Sequence, residues 1–560
     1  MMKIVLHITL LLVALCSSAG DVTYKKALEI AAAAMHSDSR DITLINNNLT
    51  RASDGMRYYA FNRTDDKGFI IVAGDDRLPA VFAYSDNTSL PADRSDLPPG
   101  LKDILLMYEQ VVDGVRSGTF DIDAARQSTT AHASAVKPLV SSKWGQGEPF
   151  SNLCPTGCAT GCVATAAAQL MRYHKWPESG TGTVSTIYNG TSLSLDLAQS
   201  TYDWEAMADT KEENLADSKA AEAVARICYD FGVAAQMEYG PESGAADVDA
   251  VKALFDNFGY HAGDMRFLHR DCYDSDVWMD MVKTELENGR PLYYAAGTET
   301  AAPGTYAGHA FIIDGYDEQG MVHVNWGWNG ASDGYYDIAL LNPMSLKFTI
   351  NQTMIAGLRP NKEGEASTYK PIIVMDGPLE TNTSGVNYNS SSGSGEFGIP
   401  NPVLANYNPN NYNGYATISL YKDNGELVSE DIKSGKMFSV VLTLQPNYYF
   451  IKNNTTFNCK LPGKLAQGDY YLKLVTKETN ATSWTLPDVI GGQQNNYIHV
   501  NVAAKKATFD NKPTAIENIH DDEQMQPEYY NISGQRISRP AAGNIFIMKQ
   551  GKNVRKMIAR

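Results

Sequence analysis

Cys162 opens the run from Val163 to Trp176, which is rich in alanine and free of glycine and proline until Pro177. That composition favours helix. The cysteine therefore stands at a helix mouth, where unpaired amide N–H groups and the positive dipole end stabilise a thiolate. Alone, it reads first as a small buried residue or half of a disulfide. A nucleophilic thiol also needs an imidazole to hold or take its proton. His174 is nearest in the chain, but twelve residues of helix carry it about 18 Å away. His309, in Gly308-His309-Ala310-Phe311-Ile312-Ile313, begins an apolar strand beside a glycine that permits close backbone approach. By itself it is equally a strand-end histidine facing water. In His323-Val324-Asn325-Trp326-Gly327-Trp328, Asn325 is a candidate to orient that imidazole, with Trp326 and Trp328 shielding the bond or simply packing a core. Gln146, in Trp144-Gly145-Gln146-Gly147, offers a side-chain amide to join the Cys162 N–H around an oxyanion. The chemistry such a set performs is acyl transfer through a thioester.

These residues must be carried by a large chain. At 560 residues it is long enough for three or four domains, each with its own core. The formal charge of −17 and pI near 5.1 argue against a nucleic-acid partner, which needs a basic face. Met1-Met2-Lys3, the apolar run Ile4 to Leu15 and Ser17-Ser18-Ala19 read as a cleavable export signal, residues 1–19. That run is too short for a permanent anchor, and no later stretch reaches the roughly 18 apolar residues a transmembrane span needs. The expected product is secreted or held at the cell surface. Six cysteines follow the signal, at 154, 158, 162, 228, 272 and 459, too few for a disulfide scaffold. Cys154, Cys158 and Cys162 lack the second ligand pair of a zinc site, so no metal and no cofactor is expected.

In chain order, an alanine-rich segment from Tyr24 to Met35, a buried-strand pattern at Phe69 to Ala73 with a hairpin partner at Ala80 to Tyr84, and a helix near Leu101 to Val115 form a small α+β unit, residues 20–135. Residues 124–134 are small and polar, a proteolysis-prone linker. Residues 136–360 place helices first and strands second. Ala220, Val224, Ile227, Cys228 and Phe231 share one helical face with Gly232 as the stop, and Asp247 caps the next helix. Another helix runs from Ser275 or Asp276 to Asn288-Gly289, and strands are expected at 291–296, 309–316 and 321–326. Residues 366–507 shift to Asn, Ser, Tyr and Thr with strand-like runs, which suggests an immunoglobulin-like β-sandwich. Residues 508–560 form a small β unit with a basic tail.

Taken together, the ordered motifs resemble those of the streptopain family of secreted bacterial cysteine peptidases. They are Gln146, the Ala-Thr-Gly-Cys-Val-Ala-Thr-Ala helix start closing in Tyr-His-Lys-Trp-Pro, Gly-His-Ala-Phe-Ile-Ile-Asp-Gly and His-Val-Asn-Trp-Gly-Trp. The resemblance covers roughly residues 20 to 360, and Gly68 to Asp76 resembles part of the family's propeptide. It implies an α+β architecture with a papain-like two-subdomain catalytic domain. It also implies Cys162 as nucleophile, His309 as general base and acid, Gln146 as oxyanion donor, and Asn325 with Trp326 as the orienting pair. By the same likeness Ser243, Gly244, Ala245 and Gly308 line the substrate cleft, and the residue two positions before the cleaved bond is hydrophobic. The implied partners are protein or peptide substrates and the chain's own propeptide as intramolecular inhibitor. Cys154 and Cys158 depart from the family pattern, and either a Cys154–Cys158 disulfide or an inhibitory Cys158–Cys162 pairing would follow from them. Tyr530-Asn531-Ile532-Ser533-Gly534-Gln535-Arg536-Ile537 is similar to C-terminal sorting segments of exported proteins in the Bacteroides and Prevotella group, which implies surface attachment. The same Cys–His pair would also serve an amidase of cell-wall peptides, and a surface-binding protein with a relict site is the non-enzymatic alternative.

Overall fold

A computed structural model describes residues 20–45, 51–52, 55–120, 135–299, 306–341, 350–400, 403–432, 440–444, 448–450, 456–510, 528–531, 536–537, 545–550 and 553–558. The expected export signal, the 124–134 linker and much of the sorting segment lie outside the described residues. Seven helices are described: α1 (Tyr24–Ala34), α2 (Pro99–Ser117), α3 (Cys162–His174), α4 (Lys211–Ala216), α5 (Ser218–Ala234), α6 (Asp247–Asp256) and α7 (Ser275–Glu287). None is long and apolar enough to cross a membrane.

Their scaffold is one ten-stranded sheet. It is built from β1 (Ile42–Leu44), β2 (Tyr58–Arg63), β3 (Phe69–Ala73), β4 (Val81–Ser85), β5 (Arg266–His269), β6 (Leu292–Glu299), β7 (Tyr306–Tyr316), β8 (Val322–Asn325), β9 (Gly334–Tyr336) and β10 (Asn351–Ala356), in the order β1-β2-β3-β4-β9-β8-β7-β6-β10-β5. The junction is β4 with β9, where Tyr84 pairs with Tyr335 and Ala83 with Tyr336. The two tyrosine rings stack there at 5.1 Å. The N-terminal unit and the peptidase-like region thus share a single sheet.

Alternation along the central strands sorts residues onto two faces. Tyr294, Ala296, Phe311 and Ile313 pack with α2 and α7 in one core, while Tyr293, Ala295, Ala310 and Ile312 pack with α3, α5 and α6 in another. Helix α3 forms because its small side chains allow burial all round, with every residue from Cys162 to Met171 buried. It ends where Lys175 adopts a left-handed conformation ahead of Pro177.

Two local expectations are corrected. Helix α5 runs through Gly232 to Ala234; that glycine admits the Tyr239 hydroxyl, which would lie 2.4 Å from a Cβ there. Asp247 does not cap α6: Ala246 holds the cap position without a side-chain bond. The Asp247 carboxylate instead accepts from the Tyr293 hydroxyl at 2.6 Å and from Thr353 Oγ1 at 3.4 Å.

Beyond residue 366 the described strands form a four-stranded, an eight-stranded and a two-stranded sheet around a separate apolar core that includes Ile418, Leu472 and Val500. This unit is fastened to the peptidase-like region. The His269 ring packs tilted against Tyr407 at 4.3 Å, the Tyr273 hydroxyl donates to Asp488, and Phe267 N–H donates to the Tyr369 hydroxyl at 3.2 Å. Strands at 528–531, 536–537, 545–550 and 553–558 form a further small sheet.

Candidate active site

Cys162 begins α3 directly after Gly161, whose φ of 89° turns the chain into the helix. A side chain at Gly161 would collide with Met237 Sδ at 2.8 Å and the Ser243 carbonyl at 3.0 Å. The approach loop is tied at two further points. Thr160 N–H donates to the Gln146 carbonyl at 2.9 Å, and Ala159 N–H donates to the Gly240 carbonyl at 2.9 Å. Ser243 fixes the other side, donating from its hydroxyl to the Ala159 carbonyl at 2.7 Å. The Cys162 thiol is buried and accepts from the backbone N–H of Ala310, the residue after His309. Burial pushes its pKa up to about 11, against the pull of the Ala310 amide.

His309 lies on β7 opposite Ala296, and strand alternation puts its ring on the Phe311 side, the side covered by α2. The residue is 6% exposed. It hydrogen-bonds to the backbone of Trp326, and its Nε2 has no partner. Trp328 meets it edge-on at 5.9 Å. Burial lowers the His309 pKa to about 4, while Asp103 on α2 pulls the other way. Among the described residues no hydrogen bond joins the thiol and the imidazole. Burial disfavours the charged form of both groups.

Helix α2 covers the imidazole, although no residue of α2 lines the cleft that holds Cys162. A Cβ on Gly100 would lie 2.9 Å from Trp326 Cζ3 and 3.2 Å from Phe311 Cδ1, so only glycine lets the helix settle on those two rings. One turn further on, Asp103 is carried toward His309, and burial raises its pKa to about 6.

The remaining candidates divide. Ser243, Gly244, Ala245 and Gly308 all line one cleft of about 750 Å³ with Cys162 and His309. Gly308 must be glycine, since a Cβ would stand 2.1 Å from the Ala296 carbonyl oxygen. Gln146 is outside that lining, but its buried Nε2 has no partner and remains free to donate. Asn325 is engaged elsewhere. Its amide donates to the Ser142 carbonyl at 2.7 Å and to Gln169 Oε1 at 3.3 Å, and its Oδ1 accepts from Gly327 N–H at 3.0 Å. It braces the loops beneath the ring, whose bond goes to the Trp326 backbone. Trp326 is fully buried, donating from Nε1 to the Ser332 carbonyl at 3.0 Å and from its amide to Asp333 at 3.0 Å. Cys154 and Cys158 are free thiols, and Cys158 bonds the Tyr188 side chain, not Cys162. Two contributors escaped the sequence reading. Gln169, whose signal was an amide within an otherwise small and apolar helix, links α3 to Asn325; Asp103 had no signal beyond a polar position on an amphipathic helix.

Comparison with known proteins gives the family. Residues 144–336 match the peptidase C10 family model and residues 19–112 match the Spi protease inhibitor model. Streptopain of Streptococcus pyogenes is 32% identical over 359 residues, covering 58% of this chain and 85% of streptopain. Thiol protease/hemagglutinin PrtT of Porphyromonas gingivalis is 32% identical over 346 residues, covering 57% of this chain, which spans 38% of that relative's length. Among solved structures, a fragment of Prevotella intermedia prointerpain A is 34% identical, with 57% of this chain and 99% of that one covered at a TM-score of 0.48. Interpain A of the same organism is 41% identical, with coverage of 41% and 96% and a TM-score of 0.36. The class is thus a cysteine-type peptidase preceded, in the same chain, by a protease-inhibitor-like region. The chain belongs to the streptopain family, peptidase family C10.

Proposed function

We propose that the chain is the secreted zymogen of a cysteine endopeptidase acting on proteins, with residues 20–135 as its inhibitory prosegment. The observation that carries this reading is the placement of Cys162 and His309 in one cleft, uncoupled from each other, with α2 seated over the imidazole. Cleavage in the 124–138 linker and departure of α2 frees the ring to meet the thiol. Loss of burial then favours the charged pair. The thiolate attacks the peptide carbonyl, and the oxyanion is held by the Cys162 N–H and Gln146 Nε2. His309 protonates the leaving amine, then takes a proton from the water that hydrolyses the thioester. Asn325 and Trp326 position the loop whose backbone holds the ring. Gly308 and the 243–245 loop border the substrate backbone, with a hydrophobic residue preferred two positions before the cut. The region 366–507 is an accessory β domain, and residues 508–560 attach the protein to the cell surface.

The test is incubation of the purified chain with reductant, followed by mass measurement of the fragments and a casein assay. Self-processing and proteolysis are expected in the wild type and lost in Cys162→Ala and His309→Ala. A Cys162→Ala chain that still processes itself and digests casein overturns the assignment.

A further inference from the structure

Helix α3 carries more than the thiol. Cys162, Thr165 and Gln169 recur at intervals of three and four, which places them on one stripe of the helix. The turn that follows Asn325 lies along that stripe. A Cβ on Gly327 would stand 3.2 Å from Thr165 Cγ2, and Asn325 meets Gln169, about two helical turns below the nucleophile.

Gln169 is fully buried between Ala168 and Leu170. An amide in such surroundings is costly unless its atoms are bonded, and these are. Its Oε1 accepts from Ser142 Oγ at 3.0 Å, from Trp144 N–H at 3.0 Å and from Asn325 Nδ2 at 3.3 Å, while its Nε2 donates to Asn325 Oδ1 at 3.4 Å. Three segments therefore meet at one carboxamide. The first is the nucleophile's own helix. The second leads from Trp144 to Gln146, and the Thr160 N–H bond to the Gln146 carbonyl holds its far end. The third is the turn whose Trp326 backbone bonds the His309 ring. It is tied to the second where Asn329 N–H donates to the Trp144 carbonyl at 3.1 Å. Ser142, Trp144, Gln169 and Asn325 are all absent from the lining of the cleft.

Resting on the peptidase reading above, we propose that Gln169 is a positioning residue for catalysis, one that keeps the oxyanion donor Gln146 and the imidazole of His309 in register with Cys162. It acts through Trp144 and Asn325 and touches no substrate. Such a cross-link matters because reacting groups must be closely aligned, and a displacement of about 1 Å lowers the rate about a hundredfold. The loss falls on kcat and spares KM, since the displaced groups serve the transition state.

The experiment measures kcat and KM on a peptide amide from roughly pH 5 to 9. The linker is first opened by an added protease that is then removed, and thermal melting confirms the fold of each variant. Gln169→Met keeps the volume and removes all four bonds. Its kcat should fall about a hundredfold with KM within about threefold. Gln169→Glu keeps the acceptor for Ser142 and Trp144. Protonated, its O–H donates to Asn325 as the amide does; ionised, it sets a charged oxygen against Asn325 Oδ1. Burial moves such a carboxyl toward neutral pH, so the kcat profile should gain a fall on its alkaline side that the wild type lacks. A residue serving only the fold would lower the melting temperature and leave kcat and its pH profile unchanged. If Gln169→Met does not fold, the Gln169→Glu profile decides alone. Wild-type kcat and an unaltered profile in a folded variant overturn the proposal and leave the peptidase reading standing. A processed wild type that hydrolyses no peptide removes that reading, and this role with it.

Discussion

Gly100 offers the sharpest test of how α2 keeps the His309 imidazole from the Cys162 thiol. Substituting Gly100→Leu places a Cβ 2.9 Å from Trp326 Cζ3 and 3.2 Å from Phe311 Cδ1, with the rest of the side chain directed into the same space. Neither ring has room to retreat, since Trp326 is 0% and Phe311 1% exposed. Forcing extra atoms into such a contact costs about 1–3 kcal/mol. Replacing glycine in a helix returns at most about 1 kcal/mol, and less in the first turn. The net, roughly 1–2 kcal/mol against the seated helix, raises the lifted population about fivefold to thirtyfold. The assay is the alkylation rate of Cys162 by iodoacetamide in the intact chain, with the modified peptide quantified by mass spectrometry. Gly100→Leu should label faster by that factor, and Gly100→Ala by a smaller one. An unchanged rate in a Gly100→Leu chain that melts like the wild type would refute the idea that this contact governs their separation.

Other outcomes follow from the same geometry. Asn325→Ala leaves the Ser142 carbonyl and Gly327 N–H without their partners and should cost about 2–4 kcal/mol in denaturant unfolding. In the intact chain the Cys162 thiol should show no thiolate absorbance until the pH approaches 11. His309 should stay neutral in NMR titration down to about pH 4. Because its pKa is depressed from 6.5, its burial contributes stability that is complete above pH 6.5 and lost as pH falls through 4. His269, lowered by burial to about 3, acts in the same sense where it packs against Tyr407. His269→Phe should therefore flatten the acid limb of the stability profile, read as melting temperature between pH 6.5 and 3.5.

Much of the site could be read from the chain because its parts are local. The helix at Cys162, the strand at His309 and the tight turn of Gly327 carry their geometry in their composition. Gly308 was legible for the same reason, as a glycine beside a polar strand residue. What escaped depended on partners far away in the chain. Gly232 looked like a helix stop because glycine usually marks one, yet the Tyr239 hydroxyl explains it. Asp247 looked like a cap, but Tyr293 and Thr353, distant in sequence, claim its carboxylate. Asn325 was read as the orienter of the imidazole, whereas Gln169, Ser142 and Gly327 occupy its amide. Asp103 is one acidic residue among many until the β4–β9 pairing brings its helix over β7.

That pairing also has a consequence for the molecule after processing. While residues 20–120 remain in place, β9 has a neighbour on each side. Their release would leave the backbone donors and acceptors of Gly334–Tyr336 facing water on the side that Ala83 and Tyr84 now occupy. A bare sheet edge is an invitation to any extended chain. At three residues it is too short to seed stacking between enzyme molecules, yet it suits the strand that has just left it. A detached prosegment would therefore find its old berth open, and the freed enzyme would be restrained in proportion to how much uncleaved prosegment accumulates around it.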